Sequence, residues 1–128
     1  MSLQESFDSF DISGEKLYYF AHPYTGDGSY MDRERNYLLC MERTLKLMAN
    51  GVNVFSPIAY SHNLDVDPNK PDWFGADEWL QLDKIMLDRC DGIIMAPNWE
   101  QSEGCVIEFK YATDNNKIIL FWDKLFKK

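Results

Sequence analysis

The sequence is poor in several residue types, and each shortage excludes a class of protein. Only 13 of 128 residues are Lys or Arg, against 21 Asp or Glu, so the net charge is −8. So few cations do not provide the clustered basic side chains that bind DNA or RNA, and we predict no nucleic-acid polymer as a partner. The odd number of cysteines and the lack of any CxxC spacing indicate a reducing, cytoplasmic setting rather than a disulfide framework: Cys40, Cys90 and Cys105.

Long apolar runs and a leader sequence are also missing. No stretch approaches the roughly 18 consecutive apolar residues of a membrane helix, so we predict no membrane partner. Residues 1–15 carry acids without the basic and then apolar pattern of a signal peptide. The chain does have 45% hydrophobic and 15% aromatic residues, enough for the core of one domain. We predict a disordered segment over residues 1–15 and a single domain over residues 16–128.

Short apolar runs alternate with amphipathic segments along the chain. Runs that are apolar throughout, separated by helices, indicate a parallel sheet covered on both faces. We therefore predict a single-domain, doubly wound α/β fold, flavodoxin-like or Rossmann-like, with four to five strands. In the first helix Leu38, Met41, Leu45 and Met48 recur at helical spacing. The predicted strands cover 17–21, 52–56, 92–96 and 117–122, the helices 30–50, 76–90 and 102–115, and a long loop 63–72.

Two carboxylates fall on helix faces that the apolar pattern assigns to the core. Asp83 lies on the apolar stripe of one predicted helix, and Glu108 lies on that of the last helix. A buried carboxylate without a partner is unfavourable by several kcal/mol or takes up a proton, so each of these two needs a partner or a cavity. Either they form ion pairs with basic side chains such as Arg33 or Arg35, or they line a site.

The start of the last helix adds a candidate anion site. The free N–H groups of a helix N-terminus suit an anion, the Ser102 hydroxyl is a further donor, and Gly104 permits close approach. The alternative is that Ser102 only caps the helix. Gly26 lies in a loop that lacks both phosphate-binding glycine patterns, and Trp99 either stacks on a base or is structural. We predict no metal site, because zinc-ligand spacing is absent among His22, His62, Cys90 and Cys105.

The order of these residues resembles one family. Tyr19-Phe20-Ala21 closes the first strand, Asp83 stands eight residues before Asp91, and Ser102-x-Gly104-x-x-x-Glu108 follows. This order, from Leu17 to about Trp122, resembles the nucleoside 2-deoxyribosyltransferase superfamily, which includes the 2′-deoxynucleoside 5′-monophosphate N-glycosidases. Small phage and bacterial domains of unknown function in that superfamily share similar segments, here His22-Pro23-Tyr24-Thr25-Gly26 and Trp99-x-x-Ser102-x-Gly104.

The resemblance implies roles for individual residues. Glu108 matches the nucleophile that attacks the anomeric carbon of a 2-deoxyribose, and Tyr19 matches the tyrosine that orients this carboxylate and favours its ionised form. Asp83 matches the acid that assists the nucleobase. Ser102 matches a phosphate-binding serine, which favours a 5′-phosphorylated substrate. The further substrate-binding candidates are Gly104, His22, Tyr24, Gly26 and Trp99.

The resemblance also implies a small-molecule deoxynucleoside or deoxynucleotide substrate, no cofactor and a homo-oligomer. The segment His22-Pro23-Tyr24 departs from the Gly-Ser-type phosphate segment of the N-glycosidases, which leaves the substrate open. Two other function classes are compatible with the same residues. One is a nucleotide-binding module without catalysis, and the other is a structural or assembly protein whose carboxylates form ion pairs. Release of free base from deoxynucleotides distinguishes the enzyme from both.

Overall fold

The computed structural model describes residues 15–126, so almost all of the segment predicted to be disordered lies outside the described residues. None of the described helices has the length and apolar character needed to cross a membrane. In chain order the elements are β1 Tyr18–Ala21, α1 Tyr30–Ala49, β2 Val54–Phe55, α2 Pro57–Asp65, α3 Ala76–Asp88, β3 Gly92–Met95, a 3-10 turn Trp99–Gln101, α4 Glu103–Asp114, β4 Ile118–Phe121 and α5 Trp122–Leu125.

The sheet confirms the predicted doubly wound α/β fold. Within residues 15–126 four strands pair in parallel, in the order β2-β1-β3-β4. The chain passes from β1 to β2 and then returns to the other side of β1, so the strand order reverses between β1 and β3. These two strands pair from Tyr18 opposite Gly92 to Ala21 opposite Met95. Ligands of such folds bind beyond the C-terminal strand ends at this reversal point.

Helices cover both faces of the sheet, as strands that are apolar throughout require. All four residues of β1 are buried. Tyr18 and Phe20 pack on the side that we call the α1 face, with residues of α1, α2 and α5: Cys40, Leu47, Ile58 and Leu125. Tyr19 and Ala21 pack on the opposite side, the α4 face, with residues of α3 and α4: Leu87, Cys105 and Ala112. Neighbouring residues of β1 therefore serve different faces of the sheet.

Helix α1 forms where it is predicted, but its most apolar stripe does not face the sheet. Leu38 and Leu45 are each 59% exposed. Two polar anchors fix the rotation of the helix, because Arg43 Nη1 lies 2.9 Å from His22 Nε2 and Glu34 Oε2 lies 2.8 Å from His62 Nε2. These contacts, with small side chains that fit closely against the sheet, outweigh the apolar stripe. The buried side chains of α1 are Cys40, Thr44 and Leu47.

Helix α2 was not predicted, and it shortens the expected loop. The apolar pattern predicts no element over residues 57–62 and a loop over 63–72, whereas the helix runs over Pro57–Asp65. Pro57 occupies the start of the helix, where its fixed φ is favourable and its missing N–H is not needed. The apolar residues of this short helix have almost no helical periodicity, so the pattern does not reveal it. The sequence also leaves the tail unassigned, and there α5 places Leu125 in the core of the α1 face.

Candidate active site

Tyr19 and Glu108 meet on the α4 face. Tyr19 lies in the middle of β1 and is fully buried, and its hydroxyl donates a hydrogen bond to Glu108 Oε2. Glu108 lies in the second turn of α4 and is only 7% exposed. Cys105 and Ala112, one turn before and after it, are buried in the same core. The prediction that Glu108 lies on the buried stripe of its helix is therefore confirmed.

Burial dominates the electrostatics of Glu108. It raises the pKa of Glu108 to about 8, while the hydrogen bond from Tyr19 lowers this pKa and the negative charge of Asp83 raises it. The expectation that Tyr19 favours the ionised form is therefore right in direction, but burial outweighs it. Burial also raises the pKa of Tyr19 well above its usual value, so Tyr19 is a neutral donor.

Asp83 completes an electrostatic cluster of three side chains. It is half-buried on α3, and burial raises its pKa to about 6. Its negative charge raises the pKa of both Tyr19 and Glu108. Within residues 15–126 no hydrogen bond or ion pair compensates the Asp83 carboxylate. A perturbed and unpartnered carboxylate beside a second one is typical of a functional site.

The ion-pair alternative for these two carboxylates has no support in the described part of the chain. Arg35 Nη1 lies 2.6 Å from Asp32 Oδ1, within its own helix. None of the ion pairs among the described residues includes Asp83 or Glu108. The two carboxylates therefore interact electrostatically, and no cation of residues 15–126 forms an ion pair with either.

Ser102 and Gly104 lie at the start of the helix that carries Glu108. Ser102 Oγ accepts a hydrogen bond from Cys105 N at 3.3 Å, so Ser102 does cap α4. Burial raises the pKa of the Cys105 thiol to about 12 and a side-chain hydrogen bond with Ser102 lowers it, so the Ser102 hydroxyl also has the Cys105 side chain as a neighbour. A Cβ at Gly104 would meet nothing within 4 Å, so the fold itself does not require glycine there. The six residues from Ser102 to Glu108 span about 9 Å along the helix axis.

Gly26 and Trp99 have structural roles outside the carboxylate cluster. Gly26 has a φ of +58°, and a Cβ there would clash with the side chain of Asp32, so the loop before α1 requires glycine. The Trp99 ring lies 4.7 Å from that of Phe109 and 6.2 Å from that of Phe121, which belongs to β4. Glu108, by contrast, contacts β1 through Tyr19.

The structure does not bring His22 or Tyr24 to Glu108. Because side chains alternate along the strand, His22 follows Phe20 onto the α1 face, where their rings are 5.5 Å apart. Its Nδ1 donates to Pro23 O at 2.8 Å, and its Nε2 accepts from Arg43. Burial lowers the pKa of His22 to about 4, so it is neutral. Tyr24 turns toward α2, where its hydroxyl lies 2.7 Å from His62 Nδ1.

A buried polar network around His62 was not predicted as part of a site. His62 is 1% exposed and bridges Tyr24 to Glu34 Oε2, which lies 2.8 Å from its Nε2. Asp65 is close to the Tyr24 hydroxyl and accepts a hydrogen bond from Trp79 Nε1 at 2.8 Å. The network thus joins the loop after β1 to α1, α2 and α3. No local pattern signals it, because its members are far apart in the sequence.

An open groove lies between α2, the loop after it and α3. Its volume is about 480 Å³. The ring of Phe55, at the end of β2, lies 6.1 Å from that of Tyr19 and 6.3 Å from that of Tyr60 in the groove wall. Phe55 therefore connects the groove to the carboxylate cluster. The lining is mostly apolar, with a few polar side chains: Tyr60, Leu64, Pro71, Phe74, Trp79 and Leu82, with Asp67, Asn69 and Lys70.

The fold and the cluster together define a small doubly wound α/β domain with a buried carboxylate site on one face of its sheet. The chain belongs to the family described as "Domain of unknown function (DUF4406)", which it matches over residues 16–121. A comparison with curated proteins gave no match. The family match runs from before β1 to the end of β4, so it includes Tyr19, Asp83 and Glu108.

Proposed function

We propose that the protein cleaves the N-glycosidic bond of a 2′-deoxynucleoside or its 5′-monophosphate, by hydrolysis or by transfer to a second base, through a covalent intermediate on Glu108. The observation that carries this proposal is a buried Glu108, held by the Tyr19 hydroxyl, with the unpartnered Asp83 beside it. These three side chains can supply a nucleophile, a group that positions it and an acid. The reaction needs no cofactor.

Two displacements at the sugar carbon account for the reaction. First, a Glu108 oxygen attacks C1′ of the deoxyribose. The bond from C1′ to the base nitrogen breaks, its electron pair leaves with the base, and Asp83 gives the base a proton. Second, water or another base attacks C1′, returns a proton to Asp83 and releases the Glu108 carboxylate. Both transition states carry positive charge on the sugar ring, which an adjacent carboxylate stabilises.

The reacting form of the carboxylate pair holds one proton, with Glu108 ionised and Asp83 protonated. The pKa values of about 8 for Glu108 and about 6 for Asp83 give the pair one proton near neutral pH. In the free protein the two carboxylates share this proton. Positive charge that develops on the sugar beside Glu108 favours its ionised form, so the proton is redistributed toward Asp83 and the leaving base.

Two features suit the two ends of a nucleotide. The groove offers the Trp79 and Phe74 rings as flat apolar surfaces for a nucleobase. Ser102 stands at the start of α4, where its hydroxyl and the free N–H groups of the helix can bind a 5′-phosphate. The phosphate assignment rests on the resemblance to the N-glycosidases together with this helix N-terminus.

Chromatographic detection of free base tests the proposal. The protein is incubated with each of the four deoxynucleoside monophosphates, with and without a second base as acceptor. We expect Glu108→Gln to abolish base release while circular dichroism shows an intact fold. Asp114→Asn is the matched control, because this carboxylate lies exposed at the far end of the same helix.

Three outcomes separate the alternatives. Unchanged turnover by Glu108→Gln contradicts the covalent mechanism. Saturable nucleotide binding by the wild type without any base release indicates a binding module instead. For the phosphate, Ser102→Ala is expected to lower kcat/KM for the monophosphate and leave that for the nucleoside unchanged. Equal turnover of nucleoside and monophosphate by the wild type contradicts the role of Ser102.

A further inference from the structure

Helix α1 carries an apolar stripe on its solvent side. The exposed positions follow one another at intervals of four and three residues, which places them along a single face of the helix. Met31 is 73% exposed, and Leu38 and Leu45 are each 59% exposed. Exposed apolar residues are normal on a monomer when scattered, but here three recur every seven residues along one face of a 20-residue helix, with one cation and one anion between them, which indicates an interaction surface. We call these residues the α1 stripe: Met31, Arg35, Leu38, Glu42 and Leu45.

The α1 stripe is complementary to itself in charge. Leu38 stands at its centre, with a cation at Arg35 on one side and an anion at Glu42 on the other. Arg35 is 70% exposed, so its pairing with Asp32 leaves donors free for a second partner. A two-fold axis perpendicular to the helix beside Leu38 brings each Arg35 near the Glu42 of the other copy. Parallel packing of the two α1 helices would instead place Arg35 against Arg35 and Glu42 against Glu42.

We propose that the α1 stripe is a homodimer interface, in which α1 of two copies pack antiparallel across a two-fold axis beside Leu38. In this arrangement Leu38 meets its own counterpart, and Met31 of each copy meets Leu45 of the other. A two-fold interface must pair residue i with j and j with i, and this stripe satisfies that condition in both shape and charge. The interface lies on the solvent side of α1, whereas Tyr19 and Glu108 lie on the α4 face of the sheet, so it does not depend on the proposed activity.

A membrane surface is a poorer match for the same stripe. Helices that lie on membranes carry basic polar flanks that are attracted to anionic lipids. The α1 stripe has one residue of each charge, and the chain has a net charge of −8. A second copy is the occupant that matches both the mixed charges and the seven-residue spacing of Met31, Leu38 and Leu45.

Sedimentation velocity on the full chain tests the interface. We expect the wild type to form a concentration-dependent species of twice the 15.0 kDa chain mass. Leu38→Glu is expected to weaken the dimer by about 100-fold or more, because the two-fold axis sets the two new carboxylates against each other. Ile85→Glu is the matched control, since Ile85 is an exposed apolar residue on α3. Circular dichroism verifies that both variants fold.

A mixing experiment tests the antiparallel arrangement itself. Arg35→Glu alone places Glu against Glu, and Glu42→Arg alone places Arg against Arg, so each variant is expected to dimerise poorly. An equimolar mixture restores both opposite-charge pairs and should form a heterodimer of near wild-type stability. This recovery cannot come from a general effect of either substitution on the helix.

Several results would overturn the inference. One is a wild type that stays monomeric at every concentration, which would leave residues 1–14, another protein or a membrane as the occupant of the stripe. Binding of that monomer to vesicles with anionic lipid would identify the membrane. A dimer that is insensitive to Leu38→Glu would place the interface elsewhere. A dimer that is lost in both charge variants and not restored by mixing them would exclude antiparallel packing.

Discussion

Replacing Glu108 by Gln should make the protein more stable at alkaline pH, in addition to removing the proposed activity. Glutamine has the size of glutamic acid, and its oxygen accepts the Tyr19 hydrogen bond, so the packing is retained. The ordinary pKa of Glu108 is 4.5, and burial raises it to about 8 in the folded protein. Between these values the folded chain holds a proton that the unfolded chain has released, so a rise in pH favours unfolding.

The size of the effect follows from that interval. One pKa unit corresponds to about 1.4 kcal/mol, so raising the pH from about 5 to about 9 lowers the wild-type free energy of unfolding by about 4 kcal/mol through Glu108. Glutamine does not titrate, so the variant avoids this loss. The stability difference between variant and wild type should therefore increase by about 4 kcal/mol over this pH range. Contributions from other titrating groups cancel in the difference to a first approximation.

Urea unfolding followed by circular dichroism at a series of pH values measures this difference. If the difference stays constant with pH, burial does not perturb Glu108 and the electrostatic basis of the site is wrong. If the variant becomes relatively less stable at alkaline pH, an ionised Glu108 is stabilised by a cation, as in the ion-pair alternative. Either result would refute the reasoning, whatever the activity of the variant.

Three other substitutions test separate parts of the structure. For Asp83→Asn we expect kcat/KM to fall roughly 100-fold, because no proton donor remains. The wild-type pH profile of kcat/KM should be bell-shaped with apparent pKa values of about 6 and about 8, and the variant should lose the alkaline limb. An unchanged bell-shaped profile would exclude Asp83 as the proton donor. Gly104→Ala should keep the free energy of unfolding or raise it by up to about 1 kcal/mol, and it should lower kcat/KM for the monophosphate alone. Equal effects on the kcat/KM of monophosphate and nucleoside would contradict a phosphate site at the start of α4. Burial lowers the pKa of His22 from 6.5 to about 4, so the His22 contribution to the free energy of unfolding should fall by about 3 kcal/mol as the pH drops through this interval. The stability of the wild type relative to His22→Gln in urea should decrease by this amount, and a difference that stays constant with pH would contradict a buried neutral His22.

The sheet and its two covered faces could be predicted, because short runs that are apolar throughout, such as residues 17–21, are stable as strands buried between two layers of helices. Helix α2 could not be predicted, because its apolar residues lack a helical period and only Pro57 marks its start. The face of α1 was not predictable from the pattern either. Its most apolar side is exposed, and the polar contact between Arg43 and His22 decides how the helix is turned.

The central part of the site was visible in the sequence for a physical reason. Glu108 stands among apolar residues at helical spacing, and burial of a carboxylate at such a position is a local property of the helix. The polar network around His62 has no local signal, because Glu34 and Tyr24 are 28 and 38 residues away. Likewise, the contact from Tyr19 through Phe55 to the groove arises only when β1 and β2 pair.

The position of Trp79 gives the protein an intrinsic optical probe. Its ring lines the groove, and its indole N–H is fixed to Asp65 at 2.8 Å, so the ring has a defined orientation. Trp99 and Trp122 pack against core residues, and Trp73 is exposed to solvent. A base that displaces water from the groove should therefore change the emission of Trp79 more than that of the others. Ligand entry can be followed by fluorescence on the unlabelled chain, with Trp79→Phe as the blank.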